Sequence, residues 1–222
     1  KDLEDNLLSR SASESLCLIK RVYDIHAFQG EYPKMFEGLG VMEESYTIEL
    51  EKDANPFAIY SPRRVPLPLM GKVKDEIVRM VQMGVISKIS EPTEWCAGMV
   101  VVPKPNGKVR ICVDLTQLNK SVKREVHPLP PVDDTLAQLA GSKVFSKLDA
   151  NSGFWQIPLS PKSAKLTTFL TPFGRYHFNR LPFGISSAPE HFQRRMSQIL
   201  KGLEGVVCLM DDPYSWTYSC CP

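Results

Sequence analysis

The stretch Val206-Val207-Cys208-Leu209-Met210-Asp211-Asp212 is an apolar run that ends in two adjacent aspartates. A short apolar run of this kind is typical of a buried strand. A second run, Val144 to Leu148, ends in the same way at Asp149. Carboxylates delivered by strands to one edge of a sheet form a common site for two hard divalent cations. The pattern makes Asp149, Asp211 and Asp212 candidate metal ligands, and unrelated exposed aspartates are the alternative.

An Asp-Asp doublet is not a signature by itself, as a second doublet in this chain shows. Asp133 and Asp134 open a short predicted helix, residues 132–141, which ends at Gly141. Acidic side chains are favourable in the first turn of a helix, so capping explains this pair.

A predicted β-hairpin carries basic residues upstream of both sites. Met99–Val102 and Val109–Val113 flank Asn106-Gly107, the dipeptide that most favours a tight hairpin turn. Alternation along the second strand places Arg110 on its polar face, and Lys104 precedes the turn. Such a hairpin is suited to binding phosphates, because charged N–H groups form strong bonds to phosphate oxygens. A merely solvated hairpin is the alternative.

The remaining pattern predicts helices and strands that alternate. A helix is expected over Gly71–Gly84, after an extended segment Ser61–Pro68 whose prolines disfavour helix. Strands are expected at Phe154–Leu159 and Lys165–Phe169. A further helix is expected to start at Ser187 with a capping box. Its apolar stripe is Phe192, Met196, Ile199 and Leu203. Strands backed by helices on one side indicate an α+β fold.

Composition limits the classes of function. The 222 residues are 43% apolar, yet no apolar run approaches the ~20 residues of a membrane span. Residues 1–60 carry 12 acidic and 6 basic side chains, whereas residues 61–222 carry 13 acidic and 21 basic ones. The basic part fits a polyanionic partner. The six cysteines show no metal-binding spacing, so buried free thiols are expected, with a zinc site or a disulfide framework as the alternatives.

A series of motifs in fixed order closely resembles the fingers and palm of the reverse transcriptase in gypsy-type LTR retrotransposon Pol polyproteins. The motifs are Pro92–Trp95, Val102–Asp114, Leu118–Lys120, Phe145–Asp149, Thr171–Tyr176, Arg180–Pro189 and Met210–Asp212. The resemblance covers about residues 45–212. It implies an α+β right-hand polymerase fold that lacks its thumb.

The resemblance implies a role for each matching residue. Asp149, Asp211 and Asp212 match the family's catalytic, metal-binding carboxylates, which hold two Mg²⁺ ions, with Mn²⁺ as the alternative. Lys104 and Arg110 match residues that bind the triphosphate of the incoming dNTP. Phe154 matches an aromatic gate against a 2′-hydroxyl. Phe183 replaces a glutamine that contacts nucleotide and template in retroviral enzymes. Core packing is the alternative for both phenylalanines.

The resemblance also divides the chain and implies its partners. Residues 1–44 are expected to be a linker with the tail of an aspartic protease, and residues 213–222 a tail unlike the family. Pro213 is expected to prevent a central strand there. The partners are an RNA or DNA template with its primer and dNTP, in a cytoplasmic retroelement particle, with no membrane. The thumb, RNase H and integrase are expected to be missing from this chain.

Two functions remain open at this point. The first is an RNA-directed DNA polymerase domain, which we expect to be inactive as this chain alone. The second is a non-catalytic remnant that binds nucleic acid. An RNA-dependent RNA polymerase is a third interpretation, which the bulky Phe154 disfavours.

Overall fold

The described part of the computed structural model comprises residues 30–124, 144–147, 150–203, 206–209 and 212–217 and contains two sheets, four complete α-helices and the last two residues of a further helix, Gly30 and Glu31. The complete helices are α1 (Leu67–Gln82), α2 (Thr116–Asn119), α3 (Pro161–Leu166) and α4 (Ala188–Ile199). The strands are β1 (Ile86–Lys88), β2 (Ala97–Pro103), β3 (Val109–Asp114), β4 (Val144–Lys147), β5 (Phe169–Thr171), β6 (Gly174–Phe178), β7 (Val206–Leu209) and β8 (Asp212–Thr217). The predicted α+β class is confirmed.

The chain divides into two units, Lys1–Gly38 and Leu39–Pro222. In the first unit, the described residues include one 3₁₀ turn, Pro33–Met35, with proline in its first position. Helices α1–α4 and all the strands above belong to the second unit. No helix within the described ranges is long and apolar enough to cross a membrane.

The larger sheet has the strand order β1-β6-β5-β2-β3 and contains the predicted hairpin. Strands β2 and β3 are antiparallel, with Val102 opposite Arg110. At the tip, Gly107 adopts φ +76°, which favours glycine, and its N–H donates to the Lys104 carbonyl at 3.0 Å. Lys72 of α1 donates to the Gly107 carbonyl at 2.8 Å, so the helix holds the tip of the hairpin.

Helix α1 begins earlier than the sequence predicts. Leu67 and Pro68 are helical, so the prediction of an extended segment up to Pro68 is wrong at its end. Proline is tolerated in a first helical turn because the amides there have no partner within the helix. The spacing of Val73, Ile77, Met80 and Val81 predicts an apolar face. Val73, Ile77 and Met80 are buried, which confirms that face, but the prediction is wrong at Val81, which is 42% exposed.

Two predicted strands are wrong. Residues Gly153–Gln156 form a 3₁₀ helix, and Pro161–Leu166 form α3, so β5 begins only at Phe169. Alternating apolar residues suggested strands, but Ser160 and Pro161 provide a helix start: the Ser160 hydroxyl accepts from the Ser163 N–H at 3.4 Å.

Helix α4 starts at the predicted place without the predicted capping box. The Ser187 hydroxyl bonds to the Tyr46 hydroxyl at 2.6 Å and makes no cap hydrogen bond. The predicted apolar stripe is confirmed at Phe192, which is buried. It is wrong at Ile199 and Leu203, which are more than half exposed.

The smaller sheet has the strand order β4-β8-β7, so β8 is its central strand. The expectation that Pro213 prevents a strand after Asp212 is therefore wrong. Pro213 lies opposite Cys208 of β7, and within the described ladder β4 first pairs with β8 at Tyr214. The proline stands beyond the described β4 ladder, where its missing amide costs that ladder nothing. The predicted helix 132–141 lies outside the described residues.

Residues 42–59 form a strap along the larger sheet and the segments that follow it. The Tyr46 N–H donates to the Pro158 carbonyl at 2.7 Å, and the Ser160 N–H donates to the Tyr46 carbonyl at 2.9 Å. Further along, the Glu51 N–H donates to the Ser121 carbonyl at 2.8 Å. Near its end, the Ile59 N–H donates to the Cys96 carbonyl at 3.0 Å. The strap thus joins separate regions of the chain.

Candidate functional site

A cavity of about 600 Å³ lies between the hairpin, α1, the 3₁₀ helix Gly153–Gln156 and the loop at Phe183. All four residues predicted to bind a nucleotide line this cavity: Lys104, Arg110, Phe154 and Phe183. They come from segments that are distant in sequence, so the fold brings together what the motifs only suggested.

The charged side chains of the cavity fall into two kinds. The Arg79 guanidinium donates twice to the Glu76 carboxylate, at 2.8 and 2.7 Å, and this pairing raises the pKa of Arg79. By contrast, the side chains of Lys104 and Arg110 have no hydrogen bond or ion pair to any other described residue. The cavity therefore offers two positive charges that no described carboxylate neutralises.

Aromatic rings form one wall of the cavity. Phe154 is 7% exposed, and its ring centroid lies 4.9 Å from that of Phe183 and 5.4 Å from that of Phe192. Phe183 is 40% exposed and lies 6.3 Å from the Trp155 ring. Phe154 thus both packs in the core and lines the cavity, whereas Phe183 is mainly a surface of the cavity.

A close approach and a polar clamp hold these rings in place. Any Cβ at Gly153 would lie 2.8 Å from the Phe192 ring, so only glycine lets the 3₁₀ helix approach this ring so closely. The Asn119 side chain donates to the Gly184 carbonyl at 2.7 Å and accepts from the Ser186 N–H at 2.9 Å. Asn119 therefore fixes the loop that carries Phe183.

Four residues of the site were not predicted from the sequence: Glu76, Arg79, Asn119 and Trp155. Arg79 lies over the Trp155 ring, with its guanidinium carbon 5.9 Å from the centroid. The i,i+3 spacing of Glu76 and Arg79 could have indicated their ion pair. Their position at the cavity depends on how α1 packs, which local sequence does not reveal.

The predicted metal site falls mostly on residues that the structure does not describe. Asp149 and Asp211 lie outside the described residues, and Asp212 begins β8 with its side chain also outside them. Among the side chains that are described, no three His, Cys, Asp or Glu residues gather as a metal site. The backbone does place Lys147 of β4 opposite Tyr214 of β8. Lys147 precedes Asp149 by two residues, and Tyr214 follows Asp212 by two.

Comparison with known proteins identifies the fold and the family. Residues 102–216, more than half of the chain, match the model of the reverse transcriptase (RNA-dependent DNA polymerase) family. The Pol polyprotein of the Drosophila melanogaster transposon opus is 34% identical over 191 residues, which cover 83% of this chain and 19% of the relative. That of transposon 412 from the same organism is 42% identical over 138 residues, 59% of this chain and 11% of the relative.

A solved structure has a similar fold. The foamy viral protease-reverse transcriptase in complex with RNA/DNA hybrid aligns with a TM-score of 0.76 at 20% identity, over 96% of this chain and 28% of that one. The chain thus spans less than a third of these proteins. It belongs to the reverse transcriptase family.

Proposed function

We propose that this chain is the fingers and palm of a gypsy-type retrotransposon polymerase, which adds dNTP to a primer 3′-hydroxyl on an RNA or DNA template. The observation that carries the proposal is the meeting of Lys104, Arg110, Phe154 and Phe183 in one cavity. Here the fingers are α1 and the hairpin, and the palm is the 3₁₀ helix Gly153–Gln156, α4 and the smaller sheet.

The charge of the cavity supports a triphosphate ligand. Lys104 and Arg110 meet no anion among the described residues, and Glu76 is already neutralised by Arg79. Two cations that line one cavity repel each other, and a phosphate chain relieves this repulsion through charge-assisted hydrogen bonds. Arg110 offers five N–H donors for this purpose, and Lys104 offers a compact point charge.

The metal ions are proposed from the sequence and the strand order. Asp149, Asp211 and Asp212 would hold them, and carboxylate oxygens are the ligands that Mg²⁺ prefers, with Mn²⁺ as a substitute. The β4–β8–β7 order and the pairing of Lys147 with Tyr214 support a common edge for these carboxylates. When bound, two such ions activate the 3′-hydroxyl and neutralise the leaving pyrophosphate.

Phe154 is proposed to exclude ribonucleotides. It lines the cavity with its ring fixed between Phe183 and Phe192. A ring held on two sides cannot move aside for an added hydroxyl without disturbing the core, since packed interiors yield little. The packing that buries Phe154 therefore also keeps its ring rigid at the cavity.

The proposed partners follow from the family. The foamy viral relative was solved with an RNA/DNA hybrid, and we propose that a template–primer duplex also binds this chain. The excess of basic residues in 61–222 supports this. We also propose that thumb, RNase H and integrase segments work beside it in a cytoplasmic retroelement particle; its similarity to Pol polyproteins supports further segments of this kind.

The direct test is nucleotide binding by the 222-residue chain. Calorimetric titration with dTTP and Mg²⁺ should show binding that weakens at least about tenfold in Arg110→Met, because charge-assisted bonds contribute ~1.5–3 kcal/mol. Lys104→Met should also weaken it. Arg124→Met is the control, since Arg124 is exposed and does not line the cavity. Equal affinities in the Arg110 and Arg124 variants would refute the proposed site.

A further inference from the structure

Two fingers arginines each lie over an aromatic ring of the cavity wall. The Arg79 guanidinium carbon is 5.9 Å from the Trp155 centroid, and that of Arg110 is 5.3 Å from the Phe183 centroid. The two rings are themselves in edge contact, with centroids 6.3 Å apart. The fingers therefore contact the palm side of the cavity through a continuous row of cation, ring, ring and cation.

The two arginines differ in what else they bind. Arg79 donates to both Glu76 carboxylate oxygens and to the Met83 sulfur at 2.8 Å, so each of its three nitrogens already makes a hydrogen bond. Arg110 has no side-chain hydrogen bond within the described part of the chain, and its guanidinium rests there on the Phe183 ring. A ring attracts the charge of a guanidinium without accepting its N–H groups in the way an oxygen does. Arg110 is thus held while its donors stay available.

The ring under Arg110 is well fixed. Phe183 packs on Phe154 at 4.9 Å, and Asn119 clamps the next residues of its loop through Gly184 and Ser186. A long arginine side chain otherwise loses rotamer freedom when a ligand fixes it. A ring that already restrains it removes part of this cost, which is the general basis of preorganisation.

We infer that Phe183 is a positioning residue for Arg110. Its ring holds the guanidinium at the cavity, and its contribution to nucleotide affinity passes through Arg110 and not through contact with the base or sugar. The inference rests on the proposed function, because it assumes that Arg110 binds the triphosphate. It gives the phenylalanine at this position a role different from direct nucleotide contact.

The test distinguishes two roles of Phe183: holding the Arg110 guanidinium in position, or contacting the nucleotide directly. Calorimetry measures the affinities of dTTP and of inorganic tripolyphosphate, each with Mg²⁺, for the 222-residue chain. The variants are Phe183→Leu, Arg110→Met and the double variant. Phe57→Leu is the matched control, because Phe57 is 43% exposed against 40% for Phe183 and does not line the cavity.

If Phe183 positions Arg110, replacing Phe183 should lower the affinities for dTTP and for tripolyphosphate equally. Phe183→Leu should weaken both by the same factor, about two- to fivefold, the range for an exposed cation–π contact. In the Arg110→Met background it should have no further effect, because residues that act through one another are not additive. Phe183→Trp, which keeps a ring face, should restore affinity, and Phe57→Leu should leave it unchanged.

Other results would overturn the inference in recognisable ways. If Phe183→Leu lowers the affinity for dTTP alone, Phe183 contacts the base or sugar. If the effects of Phe183→Leu and Arg110→Met on affinity add up in the double variant, Phe183 acts independently of Arg110. In either case Arg110→Met still reports on the proposed function. If the wild-type chain binds neither ligand, the proposed function and this inference both fail. Circular dichroism checks folding, and Phe183→Met repeats the series if the leucine variant does not fold.

Discussion

Replacing Gly153 by alanine should strain the wall of the cavity and destabilise the protein. The new Cβ would lie 2.8 and 2.9 Å from two atoms of the Phe192 ring. Phe192 is 1% exposed, and its ring also packs edge-on against Phe154 at 5.4 Å. The ring cannot turn away into solvent, so the strain must spread to Phe154 and from there to the cavity.

The expected cost follows from two opposing effects. Adding a methyl group to a well-packed core typically costs about 1–3 kcal/mol. Alanine is better than glycine in a helical turn by about 0.5–1 kcal/mol, and φ at Gly153 is not among the positive values that would cancel this gain. The net loss should be about 1–2 kcal/mol, or a fall in Tm of roughly 2–8 °C for a chain of this size.

Urea unfolding of Gly153→Ala and Gly71→Ala measures this loss against a matched change. Gly71 lies exposed inside α1, and a Cβ added there would meet nothing within 4 Å, so alanine should stabilise at this position by up to ~1 kcal/mol. The two substitutions should therefore shift the unfolding midpoint in opposite directions. Gly153→Ala should also weaken dTTP binding, whereas Gly71→Ala should not. A Gly153 variant as stable as the wild type would refute the packing argument.

Three further predictions concern pH, metal and sugar. Burial lowers the pKa of the His177 imidazole, so the folded protein disfavours the protonated ring more than the unfolded chain does. The free energy of unfolding is therefore highest above the ordinary histidine pKa of about 6.5 and decreases as the pH falls below it. Between pH 8 and pH 5, the urea midpoint should fall less in His177→Gln than in the wild type. Mn²⁺ bound to the chain, measured by electron paramagnetic resonance, should be lost in Asp149→Asn and Asp211→Asn but kept in Asp133→Asn, and loss in all three would contradict the assigned site. Phe154→Val should narrow the difference in affinity between dTTP and its ribonucleotide. An unchanged ratio of the two affinities would show that Phe154 does not exclude ribonucleotides.

The sequence predicted the parts of the site that depend on local chemistry. Asn106-Gly107 determines a turn almost alone, and the hairpin register then places Arg110 opposite Val102. The strands predicted around Phe154 and Lys165 failed because alternation cannot distinguish a strand from short helices that a serine cap and a proline begin. The role of Phe192 behind Gly153 depends on helix packing, which no local pattern contains.

The central strand β8 shows a different limit. A proline after the Asp-Asp pair argued against a strand, because a central strand needs amides on both sides. A proline disrupts a strand pair only at a position where its missing amide would donate to the neighbouring strand. Within the described ladder, the pairing of β4 with β8 begins only at Tyr214. A proline can therefore stand in a central strand at a position that takes no part in the described pairing with one of its two neighbours.

The strap has a consequence for how the protein is made. Its residues, 42–59, leave the ribosome before their backbone partners, which include Cys96, Ser121, Gln156 and Pro158. The early segment cannot complete its hydrogen bonds until all of these later residues have been synthesised. Such distant pairing slows folding and leaves polar backbone and apolar side chains such as Tyr46 and Ile48 uncovered in the growing chain. The nascent polypeptide should thus depend on chaperones until the strap closes.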